Sequence, residues 1–210
     1  MLIGMAFARA YLDDIIVVSS DTDEHLDHLE QLFSRIEEYG FRVRPQKCAF
    51  MLPSLTYLGC TVDKNGRRPD TNKITAITRM PPPHDRSSLQ SFLGLVNYYN
   101  TFVPQMYELR APLNALLVKD AKWVWSPKCQ MAFEKIKKTL TSDLLLTHYD
   151  PKLPIIVAAD ASQHRIGAVL LHKFPDGCQK AVTHISRTLT PNKKHYSQIE
   201  KEGLVLVFAV

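Results

Sequence analysis

The apolar positions of this chain follow two rhythms. Short β-prone runs are broken by single acids or turn residues, and longer stretches repeat apolar residues three and four apart. The first run, from Phe7 to Val18, carries the strand formers Ile15, Ile16, Val17 and Val18 but is broken by Asp13 and Asp14. Aspartate is depleted in strands, so the pattern predicts a β-hairpin with both acids at its tip. A helix is predicted over residues 23–39, with Leu26, Leu29, Leu32, Phe33 and Ile36 on one face. Ser20, Asp21 and Thr22 offer N-caps, and Gly40 sits where a left-handed C-cap belongs. Residues 41–44 alternate like a strand up to Pro45, and residues 55–62 read as a further strand closed by Asn65-Gly66. Gly59 lies inside that strand, as a bulge or a point of close backbone approach.

From Pro69 to Pro83 the pattern changes to a boundary region, with a short helix over residues 72–79 ended by Pro81-Pro82-Pro83. Ser87 and Gln90 have capping-box spacing for a helix over residues 89–99, with Leu89, Phe92, Leu93 and Val96 inward. Ala111 to Leu117 continues the helical part. Ser126-Pro127 reads as the N-cap and first-turn proline of a helix reaching about Leu140. Phe133, Ile136 and Leu140 form its core face, Lys135, Lys137 and Lys138 ride outside, and Trp123 and Trp125 anchor the core ahead of it. After Leu144 strands return over residues 153–159, 166–172 and 181–186, with Asp160 following the first and Asp176-Gly177 turning the chain before the third. Ser197 and Glu200 then make a capping box, and Leu204, Val207 and Phe208 set the packed side of a last helix. Glu202, two residues beyond Glu200, faces elsewhere on that helix. The apolar ending Val207-Phe208-Ala209-Val210 has no cap and reads as a chain that continues. The succession predicts an α+β protein.

Composition narrows the class. No apolar stretch reaches the length that spans a membrane, and the opening residues read as strand rather than as a signal peptide. Cys48, Cys60, Cys129 and Cys178 lack Cys-x-x-Cys spacing, which argues against a zinc site or a disulfide framework. Residues 1–70 carry 8 basic and 11 acidic side chains, and the other 140 residues carry 18 and 10. The cationic excess over the last two thirds is compatible with a phosphate-backbone partner.

Two places carry candidate chemistry. Adjacent carboxylates repel when both are ionised, and a hard divalent cation that takes oxygen ligands relieves this. Asp13-Asp14 on its own therefore reads first as a solvated hairpin turn, with a metal-binding tip as the alternative. Asp160, ending a long apolar run, calls for a partner or a metal, or caps the turn after it.

In sequence, Tyr11-Leu12-Asp13-Asp14 followed by Ile-Ile-Val-Val-Ser-Ser closely resembles the catalytic palm hairpin of reverse transcriptases of gypsy-like LTR retrotransposons. Leu55 to Val62 resembles the family's segment that ends the palm and supports the primer terminus. Residues 91–99 resemble its thumb helix, and residues 123–140 the connection. Asp160-Ala161-Ser162, Gly167-Ala168-Val169-Leu170 and Tyr196 to Glu202 resemble the start of the fused ribonuclease H. The resemblance implies a partial palm over residues 1–68, thumb and connection helices over 69–145, and an RNase H-like α/β domain, cut short, over 146–210. It implies that Asp13, with Asp14 beside it, and Asp160 with Glu202 are catalytic ligands of Mg²⁺ (or Mn²⁺) pairs. Tyr11, Lys47, Leu58, Gly59, Tyr98 and Tyr99 would bind nucleic acid, Lys47 also as proton donor to pyrophosphate. Template-primer, RNA–DNA hybrid, dNTP and the rest of the polyprotein are the implied partners, in a cytoplasmic particle or the nucleus and without a membrane. Cys60 departs from the histidine usual after that glycine. A nucleic-acid-binding relic without catalysis, and an unrelated α+β interaction module, are the competing readings.

The family's first palm aspartate and the later nuclease aspartates have no counterpart in these 210 residues. The chain alone is expected to give little or no turnover in primer-extension or hybrid-cleavage assays with Mg²⁺, and robust turnover in either would contradict that.

Overall fold

Ala8–Tyr11 (β1) and Asp14–Val17 (β2) pair antiparallel in the computed structural model, which describes residues 1–209. Val210, the last residue of the uncapped ending, lies outside the described residues. The chain divides into two units, the first Met1–Tyr57 and the second Leu58–Val210.

In the first unit, helix α1 (Thr22–Glu38) begins where Asp21 accepts the Glu24 N–H at 2.9 Å. Gly40, at φ +71, follows it. Leu32 and Ile36 are buried with Met5 and Ala8, and Ile15 and Val17 of β2 pack on that cluster. Leu26 and Phe33, expected on the inner face, are exposed, because the small hairpin covers only part of the helix. Residues 41–44 do not form the expected strand: no neighbouring strand takes up their ladder groups, and the chain runs on into a 3₁₀ turn, Pro45–Lys47. Ser54–Tyr57 (β3) closes the unit.

In the second unit, the expected single strand over residues 55–62 is broken at Leu58 and Gly59, and β4 (Cys60–Asp63) begins after them. β4 pairs antiparallel with β5 (Gly66–Pro69). Asp70 caps α2 (Thr71–Thr78), and the three prolines follow. Helix α3 spans Arg86–Tyr98, and its N-cap Asp85 lies two residues before the expected cap Ser87. Asp85 accepts the Ser88 N–H at 2.7 Å while the Ser88 hydroxyl accepts the Asp85 N–H at 3.1 Å. A short acid and a serine thus satisfy both free donors. α4 (Met106–Ala115) and α5 (Pro127–Leu140, capped by Ser126) complete the helical part.

Leu89, Phe92, Val96, Met106, Leu113, Phe133 and Ile136 form the centre of this part, with essentially no exposure. Burying each such side chain contributes about 1.5–3 kcal/mol. Trp123 and Trp125 stack at 6.1 Å and pack on the same cluster, as core anchors. Lys137 does not ride outside. Its ammonium donates to the Met80 carbonyl at 2.9 Å and lies 4.5 Å from the centre of the Phe133 ring, so its stem covers the core.

β6 (Ile155–Ala161), β7 (Arg165–Lys173) and β8 (Gln179–Thr188) form an antiparallel sheet in that order. A four-residue turn of helix, α6 (Pro191–Lys194), leads to α7 (Gln198–Ala209). α7 packs Val205 and Ala209 on Ala161, Ile166 and Ala168, with Leu204 and Phe208 beside them. Val207, expected on the packed side, points outward at 79 % exposure. His172 is fully buried in β7. Its Nε2 accepts the Asp150 N–H at 3.0 Å and its Nδ1–H donates to the Pro154 carbonyl at 3.2 Å. A backbone N–H can only donate and a carbonyl only accept, so the ring is fixed as the neutral Nδ1–H tautomer.

The approach to this sheet is made by backbone. Arg67 and Leu146 exchange both N–H···O bonds, at 2.8 and 2.9 Å, and the Thr147 N–H donates to the Ala181 carbonyl of β8 at 2.7 Å. Gly66, at φ +145, permits this. A Cβ there would fall well inside contact distance of the Leu146 carbonyl. Gly66→Ala is expected to destabilise by about 3 kcal/mol or more, through strain and a clash that backbone cannot relieve. Gly177→Ala has a positive φ but open space, and should cost about 1 kcal/mol. Urea unfolding of both variants measures the difference.

Burial also acts on His184 of β8, whose pKa is pushed below its ordinary value by desolvation. The unfolded chain therefore takes up this proton at a higher pH than the folded one, and stability falls as pH drops through the ordinary histidine range. Melting curves at pH 7.5 and 5.5 should show a smaller loss for His184→Gln than for the parent chain.

Candidate functional site

Unit one presents its acids on the hairpin tip. Tyr11 stands directly across from Asp14, which leaves Leu12 and Asp13 as the turn. Leu12 takes φ +53, a left-handed conformation that costs a leucine about 1–2 kcal/mol. Strain of this kind concentrates where a site needs a particular geometry. The carboxylates of Asp13 and Asp14 are exposed, and neither has a hydrogen bond or ion pair among the described residues. Tyr11 is 54 % exposed beside them. The tip is held from below, where Ala8 is buried and the Val18 N–H donates to the Phe7 carbonyl at 3.0 Å. Lys47 is exposed at the end of the Pro45–Lys47 turn.

In unit two, Asp160 lies within β6 rather than after it, opposite Gly167 of β7. The Asp160 carboxylate is exposed and has no partner among the described residues. Asp160 lines a cavity of about 300 Å³ together with Glu108, Ser162, Arg165 and His184. Glu108 of α4 and Arg165 of β7 form an ion pair across this cavity. Glu202 reaches the same end of β6 through an amide. The Gln198 Nε2 donates to the Ala161 carbonyl at 2.9 Å and to Glu202 Oε1 at 3.2 Å. Glu200 is used as expected, its carboxylate accepting the Ser197 N–H at 2.7 Å and the Ser197 hydroxyl at 2.8 Å. These bonds hold the Glu200 carboxyl below its ordinary pKa. The role of Gln198 was not read from the sequence, although its four-residue spacing from Glu202 marks a helical pair.

A hard cation takes oxygen ligands, and both places offer only oxygen, from carboxylates that bonds to protein leave largely unsatisfied. That donor set fits Mg²⁺ or Mn²⁺. Each is an open half-set, since no cluster of three or more His, Cys, Asp or Glu able to hold an ion occurs among the described residues. The remaining ligand positions would fall to water or substrate phosphates.

The third feature is the turn after β3. Leu58 (φ +46) and Gly59 (φ +64) are both left-handed, which makes a tight turn rather than a bulge. A Cβ on Gly59 would stand 3.0 Å from Cε1 of Tyr98, so a side chain there would meet both a disfavoured conformation and the neighbouring ring. The Tyr98 hydroxyl donates to the Leu58 carbonyl, and the Tyr99 hydroxyl to the Gly59 carbonyl at 3.2 Å. Tyr98 is 56 % exposed and Tyr99 only 3 %. Tyr99, expected to touch nucleic acid, is therefore a core residue that reaches the surface only through the turn it holds. Cys60 is half-buried against the same cluster, and desolvation pushes its thiol pKa up, so it remains protonated there.

Comparison with known proteins gives these features a context. Residues 4–62 match the family described as reverse transcriptase (RNA-dependent DNA polymerase), and residues 125–210 the RNase H-like domain found in reverse transcriptase. The transposon Tf2-3 and Tf2-7 polyproteins of Schizosaccharomyces pombe are 32 % identical over 94 % of this chain. The chain spans about 15 % of the length of those curated relatives. Among solved structures, the foamy viral protease-reverse transcriptase in complex with double-stranded DNA is 26 % identical, with a TM-score of 0.85 over 99 % of this chain and 37 % of that one. The same viral protein in complex with an RNA/DNA hybrid gives 0.84, over 99 % of this chain and 28 % of its own. With both domain families matched in order over more than half of its residues, the chain belongs to the reverse transcriptase–RNase H family, and over nearly all of its length it is similar to the Tf2 transposon polyproteins.

Proposed function

We propose that this chain supplies part of an RNA-directed DNA polymerase and of the nuclease that cuts the RNA strand of an RNA–DNA hybrid. The observation that carries the reading is the pair of acidic places at the ends of strands backed by core, where Asp13, Asp14 and Asp160 have no hydrogen bond or ion pair among the described residues and Glu202 accepts one from Gln198. In this reading residues 1–68 are palm, 69–145 thumb and connection, and 146–210 the start of the nuclease. Paired Mg²⁺ ions, when bound, would activate an attacking oxygen and stabilise a leaving one at phosphorus. Asp13 and Asp14 provide carboxylate oxygens on the hairpin tip, fixed by the β1–β2 ladder. Asp160 and Glu202 provide theirs from β6 and α7, with Gln198 setting the direction of Glu202. Tyr11 offers a ring beside the tip, and Lys47 an exposed cation for phosphate. The Leu58–Gly59 turn and Tyr98 form a surface for one strand of a duplex, whose A-form shape rather than sequence would be read. The template-primer, dNTP and hybrid, and the remaining segments of the polyprotein, are the partners in this scheme.

Mn²⁺ titration of the ¹⁵N-labelled chain tests it. Paramagnetic broadening is expected at the amides of residues 11–15 and, separately, of 160–162 and 198–202. Asp13→Asn should abolish the first set and Asp160→Asn the second. Broadening spread evenly over the surface acids, or absent from both places, would sink the reading. Selective duplex binding without any metal response would favour a binding relic instead.

A further inference from the structure

We propose that Tyr98 and Tyr99 are positioning residues, whose hydroxyls lock the left-handed Leu58–Gly59 turn onto helix α3 and so fix where that turn meets a nucleic-acid strand. The second half rests on the nucleic-acid reading above, whereas the first half stands on geometry alone. Tyr98 is the last residue of α3 and Tyr99 its C-cap, and neighbouring side chains at a helix end do not ordinarily serve the same feature. Here they do. The Tyr98 hydroxyl donates to the Leu58 carbonyl and the Tyr99 hydroxyl to the next one, Gly59, at 3.2 Å. The two rings meet edge to face at 5.1 Å and 80°. Gly59 accepts a further bond from the Asp70 N–H at 3.1 Å. Both carbonyls of the turn therefore face the helix and the β5 end, and Leu58 is left 39 % exposed on the outer side.

The turn needs such a restraint. Leucine is disfavoured at φ +46, and a two-residue turn with a side chain in its first position would relax if nothing opposed it. Tyr98 also closes the space in which a side chain at Gly59 would lie, with its Cε1 at 3.0 Å from that point. Burial, with Cys60, Tyr98 and Asp70 nearby, pushes the Tyr99 phenol up to about 12, so that hydroxyl keeps its proton throughout the neutral range. A core-filling role accounts for the Tyr99 ring but not for its hydroxyl. It accounts still less for Tyr98, which is 56 % exposed. A pre-set turn spares the ordering cost that a loose one would meet on binding.

The test uses the full 210-residue chain with Tyr98→Phe, Tyr99→Phe and the double variant. Each retains its ring and loses only a hydroxyl. Amide hydrogen exchange at Leu58, Gly59 and Cys60 is expected to rise roughly five- to tenfold for each single change, and further for the double. The melting temperature of Tyr98→Phe should stay close to that of the parent, and this variant keeps the test open should Tyr99→Phe fold poorly. An RNA–DNA hybrid is expected to shift the 58–60 amides of the parent chain and to bind the double variant several-fold more weakly. Unchanged exchange in the double variant overturns the lock. A hybrid that shifts other amides but leaves 58–60 untouched overturns the positioning role. A hybrid that binds nowhere overturns the nucleic-acid reading and with it the second half, and the exchange rates still decide the first.

Discussion

The second unit depends on the passage of two residues, Leu146 and Thr147, between the β4–β5 hairpin and β8. Leu146 exchanges two backbone hydrogen bonds with Arg67, and Thr147 gives one to Ala181. Each contributes only about 0.5–1.5 kcal/mol net. The passage nevertheless decides the architecture, because Leu146 is 1 % exposed and belongs to the helical core while its neighbour touches the sheet. Gly66 is what lets the backbones come that close. Remove that approach and the helical core and the sheet bearing Asp160 lose their shared edge. His148 adds to the same seam, its Nε2 lying 2.6 Å from the Asp63 carbonyl.

Around these fixed parts the acids are left without partners. A carboxylate stripped of water and unpaired is expensive, but one at an exposed tip or strand end keeps its hydration. Asp13, Asp14 and Asp160 are all exposed, so their freedom costs the fold little. The backbone beneath them is not free. Ala8 and Ala161, on the strands that carry them, are buried. Rigid supports with open acidic ends are what a site for cations and phosphates requires. Other carboxylates are engaged by protein: Glu200 and Asp85 cap helices, Asp63 pairs with Arg68 at 2.8 Å, and Glu108 pairs with Arg165 beside Asp160.

What could be read in advance was set by local chemistry. The hairpin tip follows from two aspartates inside a β-branched run, and α5 from Ser126-Pro127 before an amphipathic stretch. Helix α1 was placed to within a residue because Asp21 is a strong cap. Failures arose where a distant partner decided the outcome. Residues 41–44 alternate like a strand but pair with no strand among the described residues. The break at Leu58–Gly59 involves Tyr98 and Tyr99, forty residues away in sequence. Lys137 looked like a solvated lysine until Met80 and Phe133 were placed beside it. Of the acidic places, the residues were legible and their surroundings were not. Arg165 and Glu108 owe their relation to Asp160 entirely to tertiary structure, as does the bond from Gln198 to the Ala161 carbonyl, whereas Gln198 and Glu202 are one helical turn apart.

The Glu108–Arg165 pair carries a consequence for how binding would be measured. It joins a helix to the sheet, its side chains remain 45 % and 27 % exposed, and so dissolved ions weaken it. Raising ionic strength would therefore loosen an internal joint at the same time as it displaces any bound polyanion. Where binding requires that joint closed, a plot of log affinity against log salt would be steeper than lysines and arginines on phosphate alone produce. Counting phosphate contacts from that slope would return too many, the surplus being one ion pair that never touches the ligand.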